Sequence, residues 1–350
     1  MPIGFKIGSH AIGPGNPVFI IAEAGVNHNG DLGLAKQLVD VAAKSGADAV
    51  KFQTFDADEL ASESAEKAEY QKKNDSRHKN QNEMLKSLQL SEQDFKVLKN
   101  YCSEKRIIFL STPFDIKSAN LLESLGVAAY KISSGEITNV PLLRHIAKFG
   151  KPIILSTGMA DLAEVEKAVK LLKKEGNNDL VLLHCTTSYP APSESLNLRA
   201  IQTLEKKFKT AVGFSDHSQG VIAPIVAIGL GACVIEKHFT LDKTLPGPDH
   251  VASLEPAELA AMVKSIREAE KMLGDGVKKP DKIELGIIAQ IRKGIFAGRA
   301  IPKGQKISSL DLVSKRPVTG IPSEDFDKLI GMVAKKTIEA GKPIHWEDVQ

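Results

Sequence analysis

The chain has few cysteines, few aromatic residues and no long apolar run. Its three cysteines, Cys102, Cys185 and Cys233, form no CxxC pair, which argues against a zinc knuckle and a disulfide framework. No stretch approaches the roughly 18 apolar residues of a membrane span, and the first residues lack a basic and then apolar signal. A formal net charge of +3 is too small to indicate a nucleic acid or membrane partner. We therefore expect a cytoplasmic protein in a reducing compartment.

The apolar content is nevertheless sufficient for a large core. Hydrophobic residues make up 42% of the 350 residues and charged residues 25%, a balance that excludes extensive disorder. Eight apolar runs, most of them separated by helical periodicity, lead into polar side chains: FIIAEAG, AVKFQ, IIFLSTPF, YKISSGE, PIILSTGM, LVLLHCTTSYP, AVGFSDH and CVIEKHF. Eight such units predict an α/β fold, a (β/α)8 TIM barrel with functional side chains at the carboxyl ends of its strands.

A second, smaller domain is predicted after the barrel. A helix is expected from about Pro256 to Leu273, and the polar stretch GDGVKKPDKIE that follows lacks apolar periodicity. We predict a barrel over residues 1–273, a linker over 274–284 and a small domain of short strands and turns over 285–350. A core of about 65 residues is marginal by itself, so this domain gains from docking on a larger surface. The only internal repetition that we identify in the sequence is the β/α alternation.

Two histidines follow neighbouring predicted strands. His217 ends the seventh run and His238 lies in the eighth, so both belong to the same rim of the barrel. Paired imidazoles are common ligands of a divalent metal and leave positions for water and substrate. The alternative is that each ring hydrogen-bonds a carboxylate, Asp216 or Glu236, and binds nothing. For a matched pair on adjacent strands we favour the metal.

Cations and hydroxyl groups are predicted to meet at this rim as well. Ammonium and hydroxyl donors in a concave site suit a phosphate or phosphoenolpyruvate. The candidates are Lys51, Thr112, Lys131, Ser134, Ser156 and Ser215. The alternative is that the lysines are solvated and the hydroxyls cap the following helices. Because six such donors are predicted on one rim, we favour the phosphate site over this alternative. Glu23 and Glu136 add carboxylates for general acid–base chemistry or for accepting hydrogen bonds from a sugar.

These residues lie in strings that resemble the sialic acid synthases, which condense phosphoenolpyruvate with an N-acetylated hexosamine. The strings are IAEAGVNHNGD, GADAVKFQTF, FLSTPFD, YKISSGE, KPIILSTGM, LLHCTTSYP, FSDHS and IEKHFTLDKTLPGPDHVASLEP. AIPKGQKI, LVSKRP and GKPI resemble the C-terminal antifreeze-like (SAF) domain of that family. The resemblance extends from about Phe5 to Val349. It implies an N-acetylneuraminate synthase acting on N-acetylmannosamine, with legionaminate synthase close behind and pseudaminate synthase next.

The resemblance also implies roles for individual residues. His217 and His238 would bind Mn²⁺ or Mg²⁺, and the six cationic and hydroxyl donors would hold phosphoenolpyruvate, with Lys131 stabilising the phosphate charge. Gln53, Asn74, Glu136, Tyr189 and Asp249 would face the sugar, and Glu23 would lie at the catalytic centre. Arg316 would reach into the partner's active site in a domain-swapped homodimer. Thr187 and Val318 depart from the family pattern.

Three other functions would each predict a different set of site residues. A 3-deoxy-octulosonate or heptulosonate phosphate synthase would need a further basic cluster for the terminal phosphate of its acceptor, and we see none. A metal-dependent pyruvate aldolase does not require the lysines and hydroxyls described above. A non-catalytic sugar- or ice-binding protein is the alternative from a different class, and it predicts an eroded barrel rim.

Overall fold

The structure is a computed structural model that describes residues 4–350. The chain divides into two compact units, one that ends at Gly274 and one that runs from Asp275 to Gln350. A helix of the second unit begins at Lys282 and so lies partly within the segment 274–284 that the sequence predicts as a linker. No helix of the described residues is long and apolar enough to cross a membrane.

The first unit is a (β/α)8 barrel preceded by a hairpin. The hairpin strands are β1 (Phe5–Ile7) and β2 (His10–Ile12). The barrel strands are β3 (Phe19–Gly25), β4 (Ala49–Thr54), β5 (Ile108–Pro113), β6 (Tyr130–Ile132), β7 (Ile153–Ser156), β8 (Leu180–Cys185), β9 (Ala211–Asp216) and β10 (Val234–His238). They pair in parallel in the order β5-β4-β3-β10-β9-β8-β7-β6, and β5 and β6 lie next to each other, so the barrel is nearly closed. The predicted fold and all eight predicted strands are confirmed.

Helices pack around the barrel, and most of them bury one face. They are α1 (Leu32–Lys44), α2 (Ala57–Leu60), α3 (Glu69–Asn74), α4 (Gln81–Leu88), α5 (Glu92–Glu104), α6 (Ile116–Ser124), α7 (Val140–Ala147), α8 (Leu162–Lys174), α9 (Ala200–Phe208), α10 (Ile222–Gly229) and α11 (Pro256–Leu273). Helices α2, α3 and α4 belong to the connection between β4 and α5, and α3 has no buried residue. Helix α8 shows why the sequence folds this way. Asp161 and Glu164 form a capping box at its start, and apolar residues spaced by three and four, Val165, Ala168 and Leu172, are buried.

Strand side chains alternate between the barrel interior and the helices. The inward residues near the amino ends are apolar and form one buried cluster that includes Phe19, Leu110 and Val234. Ile7 and Ile12 of the β1–β2 hairpin are fully buried in the same cluster, so the hairpin closes this end of the barrel. The inward positions nearer the carboxyl ends are polar and buried, which places the site directly on an apolar floor.

The second unit has short strands and turns around a small core, as predicted. It contains α12 (Lys282–Ile291), β11 (Gly294–Ala297), β12 (Leu312–Lys315) and α13 (Phe326–Leu329). Strands β11 and β12 are antiparallel, and isolated bridges join the remaining segments. Its apolar cluster includes Ile295, Ile301, Ile321 and Ile344. Arg316 directly follows β12 and is exposed within this unit.

This unit contains an internal repeat, so the expectation of no repetition beyond the β/α alternation is wrong. Residues 300–312, AIPKGQKISSLDL, match residues 337–349, TIEAGKPIHWEDV, in the positions of Ile, Gly, Ile and Asp. Ile301 and Ile338 pair with each other across the repeat. Asp311 and Asp348 accept hydrogen bonds from the backbone amides of Ser308 and His345, both at 2.8 Å. The repeat escapes notice in the sequence because few of its positions are identical.

Candidate active site

Four buried charges lie at the centre of the barrel, above the apolar floor. Lys51 Nζ is 2.7 Å from Glu23 Oε2 and 3.8 Å from Glu236 Oε2. Lys131 Nζ is 3.2 Å from Glu236 Oε1. Each of these side chains is at most 4% exposed. The lysines are therefore not solvated, and that alternative for them is wrong.

The electrostatics of this cluster differ between its two carboxylates. Burial raises the pKa of Glu23, and the adjacent Lys51 only partly opposes the shift. Burial alone would also raise the pKa of Glu236, but Lys131 and Lys51 outweigh it and hold that pKa below its usual range. Burial lowers the pKa of Lys131. Glu236 therefore favours the ionised form, whereas Glu23 takes up a proton more readily.

The predicted hydroxyl donors lie around these charges. Lys51 Nζ donates to Thr112 Oγ1 at 2.9 Å, and Ser215 Oγ donates to Glu236 Oε1 at 3.0 Å. Ser134 Oγ accepts a hydrogen bond from the Gly158 amide at 3.0 Å. None of these contacts is a helix cap: Asp115 caps α6, Asn139 caps α7, and Ser215 donates to Glu236 while α10 has no side-chain cap. The helix-cap alternative is therefore wrong for these hydroxyls.

Aromatic and imidazole rings form the side of the site at β8–β10. The ring centroids of His217 and His238 are 5.4 Å apart, and Tyr189 stacks on His217 at 4.1 Å. His217 Nδ1 donates to the Thr186 carbonyl oxygen at 2.9 Å, which leaves Nε2 as the nitrogen with a lone pair. Tyr189 OH lies 3.1 Å from that Nε2. Asp216 hydrogen-bonds Ser218 and Lys237, and Glu236 hydrogen-bonds Ser215. Neither carboxylate hydrogen-bonds an imidazole, so the alternative that each histidine is only the partner of a carboxylate is wrong.

The side chains of His217 and His238 are suited to binding a divalent metal. Nδ1 of His238 is buried with no hydrogen-bond partner among the described residues, and Asp249 Oδ2 lies 4.0 Å from it. Burial, with the neighbouring His217, lowers the pKa of His238 well below its usual value, so the ring is neutral, as a metal ligand must be. Residues 4–350 contain no group of three or more His, Cys, Asp or Glu side chains arranged for a metal. A metal here would rest on the two imidazoles, with water and substrate as further ligands.

One open cavity of about 280 Å³ joins these groups. The predicted site residues that line it are Glu23, Lys51, Gln53, Thr112, Lys131, Ser134, Ser156, Tyr189, Ser215, His217, His238 and Asp249. Thr187 also lines it, so its departure from the family pattern falls in the site itself.

Two predicted residues of the barrel unit lie outside the cavity lining. Asn74 donates from Nδ2 to the Pro248 carbonyl oxygen at 2.8 Å and so joins α3 to the loop after β10. Glu136 is half-buried and accepts a hydrogen bond from Asn139 Nδ2 at 2.6 Å. Asn74 thus holds a loop, and Glu136 lies beside the site rather than in it.

Comparison with known proteins identifies the family to which this site belongs. A sequence model of the NeuB family matches residues 38–278, and a model of the SAF domain matches residues 292–350. The chain belongs to the NeuB family. This confirms the resemblance seen in the motifs, both for the barrel and for the tail.

Full-length relatives within the NeuB family include nonulosonic acid synthases. An N,N'-diacetyllegionaminic acid synthase of Legionella pneumophila is 52% identical over 336 residues, or 95% of this chain and 94% of that protein. The Campylobacter jejuni protein of the same name is 50% identical over 319 residues, or 91% and 96%. The crystal structure of an N-acetylneuraminic acid (sialic acid) synthetase from Leptospira borgpetersenii, in complex with citrate, has 40% identity and a TM-score of 0.75. The match covers 82% of this chain and 96% of that one.

Glu236 is the main site residue of this NeuB family member that the sequence analysis missed. We treated it only as a possible partner of a histidine, yet it contacts Lys131 and Ser215 and approaches Lys51. Strand alternation could have found it. In β10, residues 234, 236 and 238 share the inward face, so an inward His238 requires an inward Glu236.

Proposed function

We propose that this protein is a nonulosonic acid synthase that condenses phosphoenolpyruvate with an acetamido aldose and water and releases phosphate. The observation that carries the proposal is the buried pair Lys51 and Lys131, which faces a cavity on the rim of a barrel. Buried ammonium groups beside hydroxyl donors match the charge and geometry of a phosphate. Membership of the NeuB family and the names of the relatives are consistent with this reaction.

Phosphoenolpyruvate would lie deepest, with its phosphate on Lys131, Ser134 and the neighbouring hydroxyls. Ser156 Oγ supports this placement because it is buried beside the cavity with no hydrogen-bond partner among the described residues. A phosphate oxygen would satisfy such an orphaned group. Glu236 would keep both lysines directed toward the same volume, since it contacts them from below.

The chain's own residues can position each step of this condensation. C3 of phosphoenolpyruvate attacks the aldehyde carbon of the open-chain sugar, water adds to C2, and phosphate leaves by C–O cleavage. Glu23 is the better candidate for accepting the proton of the water, because it lines the cavity and Glu136 does not. Lys131 would stabilise the charge that develops on the departing phosphate.

His217 and His238 would hold Mn²⁺ or Mg²⁺ in this site. A bound divalent ion supplies Lewis-acid polarisation of the aldehyde oxygen of the sugar. The Thr186 carbonyl oxygen fixes the tautomer of His217, the kind of support that metal-binding histidines ordinarily have. Gln53, Tyr189 and Asp249 lie around the same space and would orient the sugar.

For the acceptor we favour 2,4-diacetamido-2,4,6-trideoxymannose, which makes the protein a legionaminate synthase. Two relatives named N,N'-diacetyllegionaminic acid synthase share 52% and 50% identity with this chain over more than nine-tenths of its length. The sequence motifs alone favour N-acetylmannosamine, and this sugar is the second candidate because the Leptospira protein with 40% identity is a sialic acid synthetase. The altrose isomer used by pseudaminate synthases ranks third.

A homodimer completes the proposal. Arg316 is exposed in a small unit, and its planar guanidinium can bind an acetamido carbonyl or sugar oxygen through several donors. In a domain-swapped dimer this side chain would serve the partner's site. Mixing Arg316→Ala subunits with His238→Ala subunits should then restore part of the activity, whereas inactivity of the mixture in confirmed heterodimers would contradict the domain-swapped dimer.

The three free cysteines are consistent with the proposed cytoplasmic setting.

The reaction is tested by phosphate release from phosphoenolpyruvate with the three acceptors in parallel. We expect acceptor-dependent release with at least one acetamido aldose and formation of the matching nonulosonic acid. Absence of release with all three acceptors, in protein supplied with Mn²⁺ or Mg²⁺, would refute the proposed function.

A further inference from the structure

A folded insertion covers one side of the site. Residues 55–91 connect β4 to α5 and contain α2, α3 and α4 instead of a short loop. The insertion has its own apolar cluster, in which Met84, Leu85 and Leu88 of α4 pack with Val26 of the barrel. It is therefore a structured part of the site rather than a loose loop.

Helix α4 is held firmly against the barrel and against α2. The side-chain amide of Asn82 donates to the carbonyl oxygens of Ala57 and Ala61 at 3.0 and 2.8 Å. Gly30, with φ of +73°, lies so close to the carbonyl oxygen of Ser87 that an added Cβ would collide with it. These contacts fix which face of α4 is presented to the cavity.

The face presented to the cavity is apolar. Val26, Met84, Leu85, Leu88 and Phe114 all line the cavity, and we call this set the apolar wall. Val26 directly follows β3 and Phe114 directly follows β5, so the wall stands over the ends of β3–β5. None of its side chains carries a hydroxyl, amide or charged group. Most of this surface is buried in the insertion's own cluster, where Met84, Leu85 and Leu88 are 2%, 8% and 3% exposed. The small part that faces the cavity offers no hydrogen-bond partner, so it suits an apolar group of the acceptor sugar better than it suits phosphoenolpyruvate.

We infer that the apolar wall selects an acetamido aldose that lacks the hydroxyl at C6, by packing against its C6 methyl group. This inference rests on the proposed function and adds the residues that discriminate between acceptors. A methyl group gains from burial on this surface, whereas a C6 hydroxyl turned toward it would lose its hydrogen bonds to water without replacement. Leu85 is the residue chosen for the test because it is the most exposed of the three apolar α4 residues that line the cavity.

The wild-type enzyme provides the first test. N-acetylmannosamine and 2-acetamido-2,6-dideoxymannose differ only in the oxygen at C6, so their kcat/KM ratio isolates the effect of the methyl group. An apolar pocket discriminates against an added hydroxyl by about tenfold to a hundredfold. We expect a preference of that size for the 6-deoxy sugar. Equal values, or a preference for N-acetylmannosamine, would overturn the inference. Absence of turnover with both sugars and with the diacetamido sugar would instead refute the proposed function.

A pair of variants tests whether the wall is responsible. Leu85→Gln should reduce the preference for the 6-deoxy sugar by about tenfold while leaving the KM for phosphoenolpyruvate unchanged. Leu85→Met, which conserves volume and apolar character, should keep the wild-type ratio. A structural effect of Leu85→Gln would lower kcat/KM for both sugars equally, and that result would overturn the role of the wall. If Leu85→Gln does not fold, Leu85→Ala serves the same comparison.

Discussion

Lys131→Met is the substitution for which the structure gives the clearest expectation. Methionine keeps much of the length of the side chain and removes the ammonium group, which is buried at the cavity and lies 3.2 Å from Glu236 Oε1. In the proposed reaction, the phosphate of phosphoenolpyruvate would lose its nearest cation. Truncating one member of a buried charge pair costs about 2–5 kcal/mol. At about 1.4 kcal/mol for each factor of ten, kcat/KM for phosphoenolpyruvate should fall by about 30-fold to 5,000-fold.

The assay is phosphate release over a range of phosphoenolpyruvate concentrations at a fixed, saturating acceptor concentration. Lys44→Met is the matched control, because Lys44 is exposed in the last turn of α1 on the outside of the barrel. Circular dichroism and thermal unfolding check that both variants fold. A value for Lys131→Met within threefold of wild type would refute the placement of phosphate on this lysine.

A second variant separates substrate binding from a purely structural ion pair. Lys131→Met leaves Glu236 with Lys51 as its remaining cation, at 3.8 Å, so the single variant should also lose stability. Adding Glu236→Gln removes that poorly paired charge while preserving an acceptor for Ser215. We expect the double variant to regain stability but not activity. Recovery of activity would show that Lys131 acts only as the counter-ion of Glu236.

Three further predictions follow from the remaining geometry. Chelation should abolish turnover, Mn²⁺ or Mg²⁺ should restore it, and His238→Ala should be inactive with an unchanged circular dichroism spectrum; normal turnover of that variant would contradict the metal site. Glu23→Gln should abolish phosphate release while Glu136→Gln retains it, and the reverse pattern would move the acid–base role to Glu136. Asp311→Asn should destabilise the small unit by about 1–3 kcal/mol in denaturant unfolding, because its carboxylate accepts buried hydrogen bonds. The Ser308 hydroxyl and amide hold the pKa of Asp311 at about 2, below its usual value, so its contribution is present above about pH 4 and is lost as the pH falls toward 2. An unchanged unfolding midpoint for Asp311→Asn at pH 7 would contradict this.

The barrel could be predicted from the sequence because each of its strands is nearly all buried and reads as a continuous apolar run. The same reasoning found Lys51 and Lys131 because they lie at inward positions near the ends of their strands, whereas the buried Lys237 in β10 lies at an outward position and pairs with Asp216. It undervalued Glu236, because we considered it only as a partner of His238 and did not use the alternation of β10, which places Glu236 inside the barrel with Lys131. The sequence also overstated the role of Glu136, which lies in the turn after β6 and accepts a hydrogen bond from Asn139, whereas Glu23 lies within β3.

The insertion 55–91 and the repeat of the small unit were beyond the reach of the sequence patterns. Helices α2 and α3 are too short for a helical period to be recognised, and the role of Asn82 depends on carbonyl groups more than 20 residues away. In the repeat, Asp311 and Asp348 act on their own turns, so little else in the two segments has to be the same. The same local hydrogen bonds therefore give the two segments the same turn although most of their residues differ.

The hairpin that closes the amino end of the barrel has a kinetic consequence. Because Ile7 and Ile12 seal that end, the site opens toward the carboxyl ends of the strands, and the charged groups lie on its apolar floor. For the proposed reaction, this arrangement predicts an ordered sequence of substrate binding and product release. Phosphoenolpyruvate has to enter before the sugar, which would otherwise block its path, and the new sugar acid has to depart before phosphate can leave. Phosphate should therefore compete with phosphoenolpyruvate for the free enzyme, and the sugar alone should bind without completing a productive complex.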